Sequence, residues 1–424
     1  MSPLKALGGT SDILPDEADR WQKMEETARR VLKLHGFREI RTPLFEESAV
    51  FTSSLGEAAE IVTKQMYLFE DRGGRKVALR PEGTASVVRA FIEHGLDKSG
   101  GLTRFYYMGP MFRAERPQAG RRRQFHQLGV EVFGSASPYQ DAEVLLLLVR
   151  LLKGWDVRGW VLKLNSLGCR QDREAIIEQV RAKLSPHRQK LCEDCQVRFE
   201  KNPLRILDCK ESRCQELSFG IDVSTAVCGA CRDHFEKVSR TLGRLKIPFE
   251  KDPHMVRGLD YYTRTAFEVI HGGLGAQNAL GGGGRYDDLV ELMGGSPVPA
   301  VGFAVGLERV LMAQETSSGA AQGAVADRAA AVFVSTAGSD ITDGLQWVEL
   351  LREKGIPAVA NLEERPLKRQ LEQADKWGFQ WVVIRGEMER EKGVFVVKNM
   401  ASRSQEEIPE KMWLNVLQKR LNRS

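Results

Sequence analysis

The densest chemistry in the chain lies between Arg104 and Gly134, which reads RFYYMGPMFRAERPQAGRRRQFHQLGVEVFG. Two aromatic, strand-like stretches flank a polar loop carrying Arg116, Arg121, Arg122 and Arg123. Arg113 is expected on the first strand, just before that loop. A planar, permanently charged guanidinium on rigid backbone can clamp an α-phosphate as charge builds there. The loop arginines suit a γ-phosphate or an RNA end. An exposed basic hairpin would account for the charge alone. It gives no reason for Gln127 and Glu131 to sit among so many apolar neighbours.

Other ways of holding phosphates are missing from the sequence. No Gly-Lys dipeptide occurs, which excludes a P-loop. No G-x-G-x-x-G follows a strand pattern, and there is no H-E-x-x-H. The 424 residues imply two or three domains. A formal net charge of +5 permits a polyanionic partner without demanding one. No apolar run is long enough to span a bilayer and no leader pattern opens the chain, so a cytoplasmic protein is expected. The seven cysteines are an odd number, which fits a reducing compartment better than a disulfide framework.

The elements that must position these residues follow from periodicity. Met24, Ala28, Val31 and Leu32 predict a helix over 16–35, stopped by Gly36. Strands are expected at 37–43, 65–69, 77–80, 104–108, 129–133, 161–164 and 265–270, and a buried helix at 139–153. Residues 168–248 read as an inserted, helical, Cys-containing module. Gly281–Gly284 reads as a glycine-rich turn before a helix, with a further helix at 306–314. Residues 315–326 (ETSSGAAQGAVA) form a Ser/Gly/Ala linker. Beyond it, strands at 330–335, 357–360, 381–384 and 394–397 alternate with helices at 341–354 and 367–377. A last helix ends near Arg420. That alternation predicts a separate α/β domain.

Phe112-Arg113-Ala114-Glu115 resembles motif 2 of the class II aminoacyl-tRNA synthetases. The first helix and the strand ending at Pro43 resemble motif 1, and Gly302 to Arg309 (GFAVGLER) resembles motif 3. Val256 to Thr263 (VRGLDYYT) and Leu280 to Asp287 (LGGGGRYD) resemble the two signature peptides of the histidyl-tRNA synthetase family, of bacterial type. Thr10 to Pro15 and Arg80 to Thr84 match further family blocks.

The resemblance implies an α+β catalytic core on an antiparallel sheet over 1–325, holding the 168–248 insertion. An α/β anticodon-binding domain would occupy 326–424. It implies a homodimer, and ATP-dependent ligation of L-histidine to its tRNA through histidyl-adenylate, with Mg²⁺ on the outgoing phosphates. It assigns catalysis to Arg113 and Arg257. ATP would meet Arg113, Glu115, Arg121 and Arg309. Histidine would meet Glu82, Gly83, Thr84, Gln127, Glu131, Tyr261 and Tyr262. Among these, Glu82, Thr84 and Gln127 would hold the amine, and Glu131 and Tyr262 the ring nitrogens. A pocket that hydrogen-bonds its substrate in this way can reject analogues by roughly 10⁴ or more.

Two alternatives share the scaffold. A regulatory paralogue would keep the fold and degrade the signatures; a synthetase for another amino acid would lack them. Separately, Cys192-x2-Cys195 and Cys228-x2-Cys231 could together hold one structural Zn²⁺, leaving Cys209 and Cys214 spare. Otherwise these are reduced, buried thiols.

Overall fold

An arginine is held in one place only by backbone that does not move, and here that backbone is a sheet. The computed structural model describes residues 3–55, 61–118, 120–257, 259–275, 278–318, 331–336 and 340–421. The chain divides into two compact units. One is Met1–Asp12 with Met24–Ala320, and the other is Ile13–Lys23 with Ala321–Ser424.

In the larger unit the strands are β1 (Arg38–Glu39), β2 (Phe45–Glu47), β3 (Leu68–Glu70), β4 (Lys76–Leu79), β5 (Thr103–Phe112) and β6 (Gln124–Phe133). They continue with β7 (Trp160–Ser166), β8 (Glu250–Lys251), β9 (Thr263–His271), β10 (Ala279–Arg285) and β11 (Ala300–Gly306). Eight of them form one sheet in the order β1-β5-β6-β11-β10-β9-β7-β8. The six inner strands pair antiparallel. The two outermost pairs, β1–β5 and β7–β8, are parallel. Strands β2, β4 and β3 make a small second sheet.

The arginine-bearing hairpin is as expected, pairing β5 with β6 from Thr103↔Phe133 to Phe112↔Gln124. Arg113 lies one residue past the end of β5 rather than on it. The strand expected at 37–43 pairs only at Arg38 and Glu39. The helix expected at 139–153 runs Pro138–Gly154, begun by the Ser137 cap and a proline in its first turn. Val144, Leu145, Leu147, Leu148 and Val149 on it are all buried, which is why its sequence shows no polar face.

The largest correction concerns Gly281–Gly284. These residues are not a turn. They form the middle of β10, paired on both sides with β9 and β11. A Cβ on Gly283 would meet Gly302 O at 2.0 Å, and one on Gly281 would meet Ala304 O at 2.4 Å. The run is glycine because two strands press on it closely, which composition cannot distinguish from a loop. Strands β2 and β11, and the helices Ser48–Leu55 and Thr84–Glu93, gave no clear periodic signal. Of the linker, residues 315–318 continue the helix Leu307–Ser318, and the rest lies outside the described residues.

The insertion is helical, with helices Arg170–Leu184, Glu193–Lys201, Ser212–Ser218 and Gly229–Arg244. It has its own apolar cluster around Ile176, Val180, Leu184, Ile206 and Val223.

The smaller unit holds β12 (Val332–Ser335), β13 (Ala358–Ala360), β14 (Trp381–Ile384), β15 (Val394–Asn399) and β16 (Gln405–Pro409), ordered β13-β12-β14-β15-β16. Strand β12 runs parallel to β13 and β14, and β15 and β16 return antiparallel. Helices Ile341–Glu353, Leu367–Lys376 and Trp413–Leu421 accompany the sheet. Phe395 anchors its core, stacked on Trp413 at 4.4 Å and edge-on to Trp347 at 5.2 Å. No described helix of either unit is long and apolar enough to cross a membrane.

One buried ionic knot ties the larger unit together. Arg285, at the end of β10, is fully buried against Asp141 of the helix Pro138–Gly154, which is buried as completely. Its Nε donates to Asp141 Oδ1 at 3.0 Å, and its Nη1 donates to Asp287 Oδ1 at 2.9 Å and Ser135 O at 2.8 Å. His234, from the insertion, lies 2.7 Å from Asp141 Oδ2. Burial pushes the Asp141 carboxyl upward, but His234 and Arg285 outweigh it and hold it below the ordinary range. Replacing Arg285 by Met strands a buried carboxylate, so Arg285→Met is expected to lose about 3–5 kcal/mol of stability. Urea denaturation reads this; a loss under about 1 kcal/mol would show that the knot is not what holds these elements.

Candidate active site

The glycine-lined part of the sheet leaves room above it. A cavity of about 660 Å³ opens there, within the size range of small-molecule sites. Of the expected site residues, Glu82, Thr84, Arg113, Glu115, Arg121, Gln127, Arg257, Tyr261, Tyr262 and Arg309 all line it. Gly83 and Glu131 lie behind its wall. Gly83 is glycine because a Cβ would meet the Tyr107 ring at 2.3 Å.

Six arginines line this cavity, among them Arg113 and Arg121 from the loop between β5 and β6, Arg257 from the segment before β9 and Arg309 from the helix after β11. Arg113 donates from Nε to Pro81 O at 2.9 Å and lies over the Phe125 ring at 5.1 Å. Arg121 pairs with Glu115 at 2.9 Å. Arg309, in the helix after β11, donates to Gly120 O at 3.0 Å and Ala279 O at 2.6 Å. Burial, and then the charges of Arg121 and Arg113, hold the Arg309 pKa below its usual value. Burial lowers Arg113 likewise. Mutual repulsion among fixed cations in a cavity is relieved by a polyanion, so this arrangement favours a polyphosphate.

Arg257 approaches from the segment before β9. Its Nη1 donates to Glu268 Oε1 at 2.8 Å, and its guanidinium lies over the Tyr262 ring at 5.7 Å. Arg257 pairs with Glu268 and not with Asp260, three residues further on. Asp260 Oδ1 accepts from Asn202 at 2.7 Å and lies 3.9 Å from Arg173. The Nε of Arg257 and the Oε1 of Gln127 are buried and have no hydrogen-bond partner among the described residues. Buried polar atoms of that kind are costly unless a ligand meets them.

Glu131 is 1% exposed, on β6. Thr84 donates to its Oε1 at 2.7 Å, and the Tyr286 hydroxyl donates to its Oε2. A Cβ on Gly302 of the neighbouring β11 would strike the same carboxylate. Burial pushes the Glu131 carboxyl up to about 8 against the pull of those two donors. Burial, followed by the charge of Glu131, keeps the Tyr286 hydroxyl well above its ordinary pKa, so it stays a donor. The rings of Tyr261, Tyr262 and Tyr286 pack on one another, with centroids 4.7 to 6.5 Å apart.

Glu82 lines the cavity and is also tied to backbone. Its carboxylate accepts from the backbone N–H of Thr84 at 2.7 Å and of Ala85 at 2.8 Å. It thereby satisfies the first turn of the helix Thr84–Glu93. Glu308, next to Arg309, accepts from the His126 backbone N–H at 2.9 Å and faces its ring Nδ1 at 3.0 Å. Glu268 and Arg205 were not singled out by sequence reasoning. Tyr107, Tyr286 and Glu308 appeared only within quoted blocks. The visible signal for Glu268 was a carboxylate set between Phe267 and Val269 in a strand.

The single four-cysteine zinc site does not form from the two Cys-x2-Cys pairs. Cys192 and Cys195 cluster instead with Cys209 and Cys214, while Cys228 and Cys231 cluster with Cys169 and Asp172. Equal local spacing in two pairs does not bring them together in space.

Residues 9–310 match the family model for histidyl-tRNA synthetase, and residues 332–420 match that for an anticodon binding domain. The chain belongs to the histidyl-tRNA synthetase family. It is 48% identical over 403 residues to the histidine–tRNA ligase of Moorella thermoacetica, covering 95% of each chain. It is 45% identical over 408 residues to that of Natranaerobius thermophilus, covering 96% of each. Among solved structures it resembles the apo histidyl-tRNA synthetase of S. aureus, at 32% identity and a TM-score of 0.81. That match covers 98% of this chain and 100% of the other. The class II synthetase fold with its helical insertion and terminal α/β unit is therefore that of the family.

Linkage gives the site a pH signature. Between the ordinary carboxyl value of 4.5 and about 8, folded Glu131 keeps a proton that the unfolded chain has released. Stability contributed by this group therefore falls as pH rises through that window. Glu131→Gln removes the effect, so the variant's stability relative to the parent should rise, by on the order of a few kcal/mol, between pH 5 and pH 8. Parallel urea titrations at the two pH values measure it; an unchanged difference contradicts the assignment.

Proposed function

We propose that this chain ligates L-histidine to its cognate tRNA at the expense of ATP, by way of histidyl-adenylate, releasing AMP and pyrophosphate. The observation that carries the reading is one cavity lined by Arg113, Arg121, Arg257, Arg309, Tyr261 and Tyr262, with Glu131 and Tyr286 buried behind its wall. Membership in the family supports it, as do relatives named histidine–tRNA ligase at nearly full length.

In the proposed mechanism the histidine carboxylate attacks the α-phosphorus in line. Arg113 and Arg257 stabilise the charge that develops on the phosphoryl oxygens. Their planar groups are already fixed, Arg113 by Pro81 O and Phe125 and Arg257 by Glu268 and Tyr262, so little reorganisation accompanies the reaction. Arg121, held by Glu115, and Arg309 take the outer phosphates. The carboxylates of Glu115, Glu268 and Glu308 line the cavity and offer the hard oxygen donors that Mg²⁺ prefers. When bound, Mg²⁺ supplies charge neutralisation on the β- and γ-phosphates.

Gln127 meets the substrate amine with its unpartnered Oε1. Glu82 adds negative charge there while capping the helix, and Gly83 lets Tyr107 pack behind it. Glu131 and Tyr262 read the two ring nitrogens, with Tyr261 packed alongside. Thr84 and Tyr286 orient the Glu131 carboxylate. The 3′ end of the tRNA then attacks the adenylate.

The terminal α/β unit is proposed to bind the anticodon loop, with exposed Lys368 and Arg369 as candidate contacts. A cytoplasmic homodimer is proposed from the motif 1 resemblance and from seven cysteines, none in a disulfide.

Histidine-dependent ATP–pyrophosphate exchange tests the chemistry. Arg257→Ala is expected to lower it by on the order of 10²–10³ or more, with an unchanged circular dichroism spectrum. Near-normal exchange by that variant overturns the role given to Arg257.

A further inference from the structure

The insertion carries a second piece of chemistry that the adenylation reading does not use. Cys192, Cys195, Cys209 and Cys214 are all buried, and none is in a disulfide. Their four Sγ atoms lie within 4.8 Å of one another, with Cys192 and Cys209 at 3.9 Å. A tetrahedral Zn²⁺ with Zn–S near 2.3 Å requires sulfurs about 3.8 Å apart. The backbone N–H of Cys192 points at Cys214 Sγ at 3.3 Å, a contact that favours sulfur with anionic character. Arg198 Nη1 lies 3.9 Å from Cys195 Sγ and offsets negative charge at the site.

The other cysteine cluster differs. Cys228 is exposed, and both oxygens of Asp172 are already taken by backbone N–H groups, Cys169 at 3.0 Å and Cys228 at 3.1 Å. That carboxylate is serving as a helix cap. The all-cysteine cluster has only weakly hydrogen-bonding thiols.

We propose that Cys192, Cys195, Cys209 and Cys214 form a structural Zn²⁺ site that fixes the wall of the active-site cavity. On binding, four S–H groups lose their protons to solvent and the four thiolates bond the metal; no electron moves. The consequence follows from the chain path. Cys209 stands between Asp208 and Lys210, and both line the cavity. Arg205, just upstream, donates to the backbone carbonyl of Arg257 at 2.9 Å. Tying Cys209 and Cys214 to the Cys192–Cys195 knuckle therefore holds the segment that buttresses Arg257. A closed four-ligand site of this kind contributes folding energy and leaves no position open for substrate.

The test uses the full-length chain without a metal-binding tag, purified under reducing conditions. Elemental analysis should find one zinc per chain. Removing the metal and adding Co²⁺ should give the thiolate-to-cobalt charge-transfer band and d–d absorption of a tetrahedral all-sulfur site. Cys209→Ser with Cys214→Ser should abolish both signals, whereas Cys228→Ser with Cys231→Ser should keep them. A zinc-free chain that gives no cobalt spectrum overturns the proposal. So does metal that follows Cys228 and Cys231, or a spectrum with fewer than four sulfur ligands. The cobalt spectrum of the unsubstituted chain decides the matter even where the first double variant does not fold. Metal content is read without ATP, histidine or tRNA, so its failure is distinct from failure of the ligase reading.

Discussion

A carboxylate buried in the middle of a sheet is the constraint around which the catalytic unit is arranged. Burying the charge of Glu131 is expensive, and the surroundings answer that cost in specific ways. Thr84 and Tyr286 each donate to one of its oxygens. Gly302, on the adjacent strand, gives the carboxylate the space a side chain would fill. Burial still leaves its pKa near 8. The group therefore sits close to neutrality in its readiness to hold or release a proton. That property suits recognition of an imidazole, whose own titration lies nearby.

Space for the substrate comes from the same device on a larger scale. Strands β9, β10 and β11 approach closely because β10 is glycine from Gly281 to Gly284. Above the sheet, a Cβ on Gly282 would meet the Arg257 guanidinium at 2.7 Å. Side-chain mass has been removed from the floor so that arginine and tyrosine can occupy the volume. Those cations repel one another and are held by Glu115, Glu268, Pro81 O and Gly120 O. Such pre-positioned charge acts on a phosphoryl group without first having to be gathered.

Much of this was legible in the sequence, and the limits have physical causes. The hairpin showed itself through aromatic alternation around a charged loop, because both flanking strands are long and their turn is polar. The helix Pro138–Gly154 was legible from its continuous apolar run. The terminal α/β unit was legible from strand–helix alternation, although β16 (QEEIP) gave no signal, since its only buried residue is Ile408. Strand β10 was misread because glycine carries no strand preference; its neighbours alone make it a strand. Contacts between distant positions were beyond periodicity altogether. Tyr286 reaches Glu131 across 155 residues, and the cysteines regroup by folding rather than by spacing. Glu82 showed the opposite limit. Its place in the cavity was expected, but its use as a helix cap is a backbone matter that the family motif does not display.

The central claim is that this cavity selects histidine and delivers it to tRNA. The direct measurement is charging of purified histidine tRNA by the full-length chain, with each of the twenty amino acids offered separately in labelled form with ATP and Mg²⁺. The account predicts stable aminoacyl-tRNA with histidine alone. Charging with a different amino acid, or none with histidine from a folded protein, would contradict it.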